Sequence, residues 1–464
     1  MYPYCRYLRT LDLRDLTFLL EDDKFRGKIL KNFFAGDLAR FNVMMDTRVS
    51  SRGPKRPRLN ARAILLAVGG AITKQSPLLE VLTEPVMPGL EVFSSALLEW
   101  PAQLSKLQFL QLGDGKALAD ERIHDLLTDS CPLLNKLEIY KWLNYDKADQ
   151  CLARFLRRMK PNTLTHFQNE SDCGIGPETC QALAYHAGSL TNLHLAISDT
   201  GLPGLGFLQP CTLLESLTLT DLRPPHDLKN TQNDVFTDMV AWLQQCSSLV
   251  NIALTNFVSA PALLTPMLDK YPSQLDHLEV NASENSLYMV KDHQDFHHAI
   301  GRQEKLTSLM LMADADGTFG DDVQSFCDCL CRLRSLKRLN LTRIAEYFSD
   351  VHMNRLSESL LELEELFVDG YGITDSSLTK LSDLPYLKSL TFSGLSVFTM
   401  QGLLDFVNRL GQGNQGFTLS IEGALTEQAQ DIVREAIAVK VNGRFEYQAH
   451  RDPDISEFEG SDSD

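Results

Sequence analysis

One pattern runs along almost the whole of this 464-residue chain: Leu-x-x-Leu-x-Leu, with Ile, Val or Phe allowed. Its clearest copies are Leu107-Leu110-Leu112, Leu134-Leu137-Ile139, Leu190-Leu193-Leu195, Leu214-Leu217-Leu219, Leu249-Ile252-Leu254 and Leu275-Leu278-Val280. Leu306-Leu309-Leu311, Leu336-Leu339-Leu341, Leu363-Leu366-Val368 and Leu387-Leu390-Phe392 follow, and Leu164-Phe167-Asn169 is a weaker copy. From Leu107 to Leu387 the steps are 27, 30, 26, 24, 35, 26, 31, 30, 27 and 24 residues, with a mean of 28. Repeats of this length that open on an alternating apolar triplet each hold a short strand and a returning helix.

In Leu-x-Leu the two apolar residues point to one face of a strand, because side chains alternate. The segments that follow have helical spacing, as in Leu118, Ile123, Leu126 and Leu127, or Val235, Phe236, Met239, Val240 and Leu243. Neither element buries its apolar face alone, whereas stacked copies bury both in one continuous core. The expected fold is therefore α/β, a leucine-rich-repeat solenoid or horseshoe, with parallel strands on the concave face and helices on the convex face. The array extends backwards through Leu8-Leu11-Leu13, Leu38-Phe41-Val43 and a partial copy at Leu79-Leu82, where Glu84 stands in the third apolar place. A degenerate turn at Leu419-Ile421 closes it, giving about fourteen repeats in a single solenoid over residues 1–445. With Leu11 and Leu13 at an open solenoid end, the isolated chain is expected to self-associate there unless something covers them.

Residues flanking the inward leucines form rows down the concave face. The candidate partner-binding residues on these rows are Phe109, Lys136, Glu138, Tyr140, His166, His194, Met310, Arg338 and Phe367. Two clusters are expected: Phe109 with Lys136 and Tyr140, and Met310 with Arg338 and Phe367. Aromatic residues, Met and Arg are the types that anchor interfaces. A merely solvated face is the alternative, since any soluble solenoid presents polar residues there.

Two segments lie outside the pattern. Leu38 to Leu79 spans 41 residues, and its excess, 46–60, carries Arg48, Arg52, Lys55, Arg56 and Arg58 among prolines and a glycine, which predicts a loop projecting from a strand. Lys55, Arg56 and Arg58 resemble a short nuclear-import signal; a solvated loop and a contact to an acidic partner remain alternatives. Residues 446–464 are acidic and predicted to be disordered, with Ser461 and Ser463 in a context that suits acidophilic kinases.

Composition narrows the function classes. A net charge of -17 argues against broad nucleic-acid binding. No apolar run reaches the roughly 18 residues of a membrane span. The start lacks the basic head and apolar stretch of a secretory signal, so a cytoplasmic or nuclear location is expected. Ten cysteines at no fixed spacing fit a reducing compartment.

Three of those cysteines, Cys131, Cys211 and Cys246, stand three residues before the first leucine of a repeat, and Ile373-Thr374-Asp375 forms a turn after another. In these features the chain resembles fungal F-box/leucine-rich-repeat proteins, with their cysteine-containing, ribonuclease-inhibitor-like repeats, although no F-box is visible in it. The resemblance implies a substrate receptor of a cullin-type ubiquitin ligase, which would bring a ligase adaptor as a second partner. The alternative is a nuclear or cytoplasmic regulatory or assembly scaffold with no ubiquitin link. A hydrolase or metalloenzyme grafted on the repeats is the third reading.

Little in the sequence supports catalysis. Gly411, Gly413 and Gly416 spell a dinucleotide fingerprint, but they follow a helical stretch and precede a strand, the reverse of the order that motif needs. His293 and His297 stand four apart with no third ligand evident, and Cys327, Cys329 and Cys331 lack zinc-knuckle spacing. Asn169, Asn281 and Asn340 head glycosylation tripeptides that mean nothing without secretion. We therefore expect no enzyme, no cofactor, no metal and no small-molecule substrate. The expected partner is a protein.

Overall fold

The computed structural model describes residues 3–45, 59–86, 91–142, 145–369, 372–394, 397–423 and 425–449. The chain packs as two compact units, Met1–Arg223 and Pro224–Asp464. Each is a leucine-rich parallel α/β repeat array.

In the first unit the strands are β1 (Thr10–Asp12), β2 (Val81–Thr83), β3 (Phe109–Asp114), β4 (Lys136–Lys141), β5 (His166–Asn169), β6 (Asn192–Ile197) and β7 (Ser216–Asp221). Each pairs in parallel with the next, so that Leu82, Leu110, Leu137, Phe167, Leu193 and Leu217 stand side by side. In the second unit they are β8 (Asn251–Thr255), β9 (His277–Asn281), β10 (Tyr288–Met289), β11 (Ser308–Asp314), β12 (Arg338–Thr342), β13 (Glu365–Asp369), β14 (Ser389–Ser393), β15 (Thr418–Gly423) and β16 (Arg444–Ala449). Ile252, Leu278, Leu309, Leu339, Leu366, Leu390, Leu419 and Phe445 form the equivalent row. The two-residue β10 stands aside and pairs with the far end of β11.

The aligned leucines are buried, most of them completely. Each contributes about 1.5–3 kcal/mol by leaving water. Between strands the chain returns through helices such as Glu121–Ser130, Ala148–Arg158, Asn233–Leu243, Gly320–Leu330, Asp350–Ser359, Asp375–Leu381 and Met400–Arg409. The other face of each sheet carries alternating half-buried and exposed residues and is open.

Adjacent repeats are tied by aspartates at helix starts. Asp149 accepts from the backbone N–H groups of Gly176, Glu178 and Thr179 at 2.8–3.1 Å. Asp350 accepts from the Thr374 N–H at 2.9 Å and its hydroxyl at 2.6 Å. Asp375 repeats this with Thr399, at 3.0 and 2.6 Å. The Ile373-Thr374-Asp375 turn is thus one rung of a ladder in which Asp149 caps the following helix directly, and Asp350 and Asp375 hold the N-cap threonine of the next helix, whose hydroxyl accepts from that helix.

The polar exceptions to the consensus are satisfied by backbone groups of neighbouring turns, the next repeat among them. Asn169 is fully buried; it donates to the Ala196 carbonyl at 2.7 Å and accepts from the Ala196 N–H at 3.2 Å. Glu84 accepts from the N–H groups of Phe93 at 2.6 Å and Gly113 at 3.0 Å. The signature cysteines serve the core as well. The buried Cys131 thiol points at the Pro101 carbonyl (3.9 Å) and that of Cys246 at the Trp242 carbonyl (3.4 Å), and burial pushes both thiols up to about 12.

Several expectations are corrected. Leu38-Phe41-Val43 is not a strand: Gly36–Phe41 is a 3-10 helix, and β1 pairs directly with β2. Gly27 and Gly36, at φ 61° and 58°, turn the chain here, and Phe25, Phe33 and Phe34 pack edge to face among themselves. The 46–60 segment lies largely outside the described residues, between the 3-10 helix Gly36–Phe41 with a bridge at Met44 on one side and the helix Ala61–Thr73 on the other. Leu11 and Leu13 are 5% and 1% exposed, so the expected exposed apolar end is not formed by them. At the other end β16 runs to Ala449, beyond the boundary expected at residue 445, and buries Phe445.

Candidate partner-binding face

The open face of each unit is built from rows of register-matched residues. In the first unit Phe109, Lys136, His166 and Asn192 form one row, and Gln111, Glu138, Gln168 and His194 form the next. Phe109 is half-buried beside the exposed Lys136. Tyr140, 42% exposed, lies four residues along β4 from Lys136, about 13 Å away at the rise of a strand. The structure therefore brings Phe109 and Lys136 together but leaves Tyr140 apart from them. His166 Nε2 lies 3.4 Å from Glu138 Oε1 without hydrogen-bond geometry. Burial holds the His194 ring below its usual value, against the pull of Glu170 and Glu138.

In the second unit one row runs His277, Ser308, Arg338, Glu365 and Ser389. The next runs Glu279, Met310, Asn340, Phe367 and Thr391. Met310, Arg338 and Phe367 meet here and line a cavity of ≈ 300 Å³ with Ser308, Glu365 and Ser389. Met310 and Phe367 are half-buried and flank Asn340, which also lines the cavity, and Arg338 is exposed. His277 lies 3.6 Å from Glu279, and its ring holds that carboxyl below the usual range. Ser308, Glu365 and Ser389 were not singled out from the sequence. They occupy the place of Arg338 in neighbouring repeats, which was the available signal.

The other motifs fall elsewhere. Lys55, Arg56 and Arg58 lie outside the described residues, as does most of the acidic C-terminal segment. The loop's described flanks are joined by a bridge between Met44 and Leu59. His297 is a core residue, fully buried against Tyr288 and Phe326, and burial takes its pKa down to about 3. Cys327 and Cys329 are buried too. The three glycines sit in the loop between the helix Met400–Arg409 and β15. Among the described residues no group of three or more His, Cys, Asp or Glu is placed to hold a metal ion, none of the cysteines is in a disulfide, and no helix is long and apolar enough to cross a membrane.

No protein-family model matches the chain, and no curated protein matches it. Several solved structures do. A chain of the Rad7–Elc1 complex of yeast aligns at 14% identity and a TM-score of 0.46, over 79% of this chain and 85% of that one. An internalin, InlF of Listeria monocytogenes, aligns at 14% identity and a TM-score of 0.38, over 73% and 81%. The TLR13–ssRNA13 complex aligns at 14% identity and a TM-score of 0.38, over 81% and 54%. These likenesses concern the repeat fold and carry no argument about what this chain binds.

Proposed function

We propose that this leucine-rich-repeat chain is a protein-interaction scaffold whose partner is anchored on the open face of the second unit. One observation carries the reading: a ≈ 300 Å³ cavity in which Met310, Phe367 and Arg338 converge on an otherwise polar face. Interfaces draw most of their energy from a few such residues set in a depression. The Phe109–Lys136 pair of the first unit is a secondary contact. With a net charge of -17, a broad nucleic-acid surface is disfavoured.

The finer reading, a substrate receptor of a cullin-type ligase, rests on the cysteine-containing repeats and not on the cavity. Affinity capture of the tagged chain from its own cells, followed by mass spectrometry, tests both levels. The chain is compared with a Met310→Ala/Phe367→Ala variant and a Phe109→Ala/Lys136→Ala variant. A protein lost at least tenfold from the Met310/Phe367 sample and retained in the other supports the cavity as anchor. Equal capture by all three chains refutes it. Ligase adaptor and cullin subunits in every sample support the receptor reading; a specific partner without them leaves a scaffold with no ubiquitin link.

A further inference from the structure

We propose that the chain's own acidic segment Asp454-Ile455-Ser456-Glu457-Phe458-Glu459 is a ligand of this cavity, seating an apolar side chain between Met310 and Phe367 and a carboxylate against Arg338. The inference rests on the reading of the cavity as the partner site and adds its regulation: the segment occupies the place a partner must take.

Charge is the first argument. Nearby cations are already engaged: Lys388 lies 2.6 Å and Lys337 4.0 Å from Glu364. Among the described residues the Arg338 guanidinium has neither a hydrogen-bond nor an ion-pair partner, although its charge adds to that of Lys388 and Lys337 in holding the Glu364 carboxyl below its usual range, and Glu365 is its register neighbour on β13. An exposed guanidinium near the apolar Met310 and Phe367, which flank Asn340, suits a ligand with a carboxylate next to a large apolar side chain. Residues 451–464 supply that chemistry, with six carboxylates, a single arginine, and Ile455 and Phe458 set among the acids. Glu365, next to Arg338 on β13, orients the ligand by repelling any carboxylate that does not lie toward Arg338 and Ser308.

Reach is the second. Segment and cavity belong to the same unit. β16 ends at Ala449, whose partner on β15 is Gly423. Carried through the β14 and β13 registers, that level lies three residues beyond Phe367. Three strand spacings of about 4.8 Å and three residues of about 3.3 Å separate the two points, roughly 17 Å in all. Ile455 is six residues past Ala449 and Phe458 nine, spans of up to about 20 and 30 Å in an extended chain. The third is size: ≈ 300 Å³ is at the small end of ligand pockets, suited to side chains rather than a folded element.

The test uses the full chain with Phe458→p-benzoylphenylalanine, irradiated at low concentration and mapped by mass spectrometry. The expected result is an intramolecular cross-link to peptides of β11–β13, with Met310 a preferred acceptor. Arg338→Glu is expected to reduce it at least fivefold, and adding Glu457→Lys and Glu459→Lys to restore it. Because Arg338 is exposed, the fold is expected to be unchanged, and circular dichroism checks this. Cross-links to other strands, cross-linked dimers, no cross-link, or a yield indifferent to Arg338→Glu would each overturn the proposal. If that happens while Met310→Ala/Phe367→Ala still loses the captured partner, the partner site stands without its tail ligand. If the cross-link forms but capture ignores those residues, the partner reading falls instead.

Discussion

Glu84 occupies the third apolar position of its repeat and is 1% exposed. Burial pushes its carboxyl up to about 7, against the pull of the Phe93 and Gly113 N–H groups. The folded chain therefore holds this proton more tightly than the unfolded chain, whose carboxyl titrates near its ordinary value. The resulting stability is fully present below about pH 4.5 and is lost as pH rises toward 7 and beyond, a difference on the order of 2–3 kcal/mol. We expect the first unit to unfold at a lower urea concentration at pH 8 than at pH 5.5. Glu84→Gln, which stays neutral and keeps one acceptor, should flatten much of that difference; an unchanged pH dependence in the variant would refute the assignment. Glu84 and Asn169 also show how far sequence reading goes at this scale. Both are visible as breaks in the Leu-x-x-Leu-x-Leu pattern. That Asn169 is answered by the backbone of the following repeat, and Glu84 by its own repeat together with the next, is not, because the partners depend on the register between strands and on the local turn and not on the residue itself.

At the scale of elements, the strands were legible because alternation and a fixed period place every inward leucine. The failures are instructive. Leu38-Phe41-Val43 has the right residues, but two glycines at positive φ and a phenylalanine cluster fold it locally. β16 went unread because Asn442, in the left-handed region at φ 50°, and Gly443 interrupt the approach to Phe445. The aspartate ladder was legible only as a turn, since a carboxylate that holds the N-cap of the next repeat's helix leaves no local signature. The ladder also explains Gly402: a Cβ there would lie 2.0 Å from the Asp375 side chain. Asp375→Ala should cost about 1–2 kcal/mol, because it removes the carboxylate that positions the N-cap Thr399. Gly402→Ala alone should destabilise through the clash. In the Asp375→Ala background it should become neutral or stabilising, by up to about 1 kcal/mol, because alanine favours helix once the carboxylate is gone. Additive costs in a urea double-mutant cycle would sink this account of the glycine.

For the whole molecule, repeats bury their cores only against their neighbours, so a defect should remain in the unit that carries it. Leu366, 2% exposed, lies on β13 behind the cavity. Leu366→Ala should cost about 2–5 kcal/mol. We expect hydrogen exchange to accelerate in β12, β13 and β14, with β3, β4 and β5 keeping the rates of the unchanged chain. Equal acceleration in both sets would mean that the units unfold as one, and that the core behind the cavity sets the stability of the entire chain. The same readout bears on the candidate site. Met310, Arg338 and Phe367 could be grouped from the sequence because adjacent strands place equivalent positions side by side, whereas Tyr140 was grouped with Phe109 across a distance along the strand that a row-by-row reading hides. A ligand seated on Met310, Arg338 and Phe367 adds its binding energy to the folded state of the second unit alone. Protection should therefore rise in β11–β14 when the cavity is filled, and Leu366→Ala, by removing a buried side chain next to Phe367 in the strand that lines the cavity, should weaken that binding.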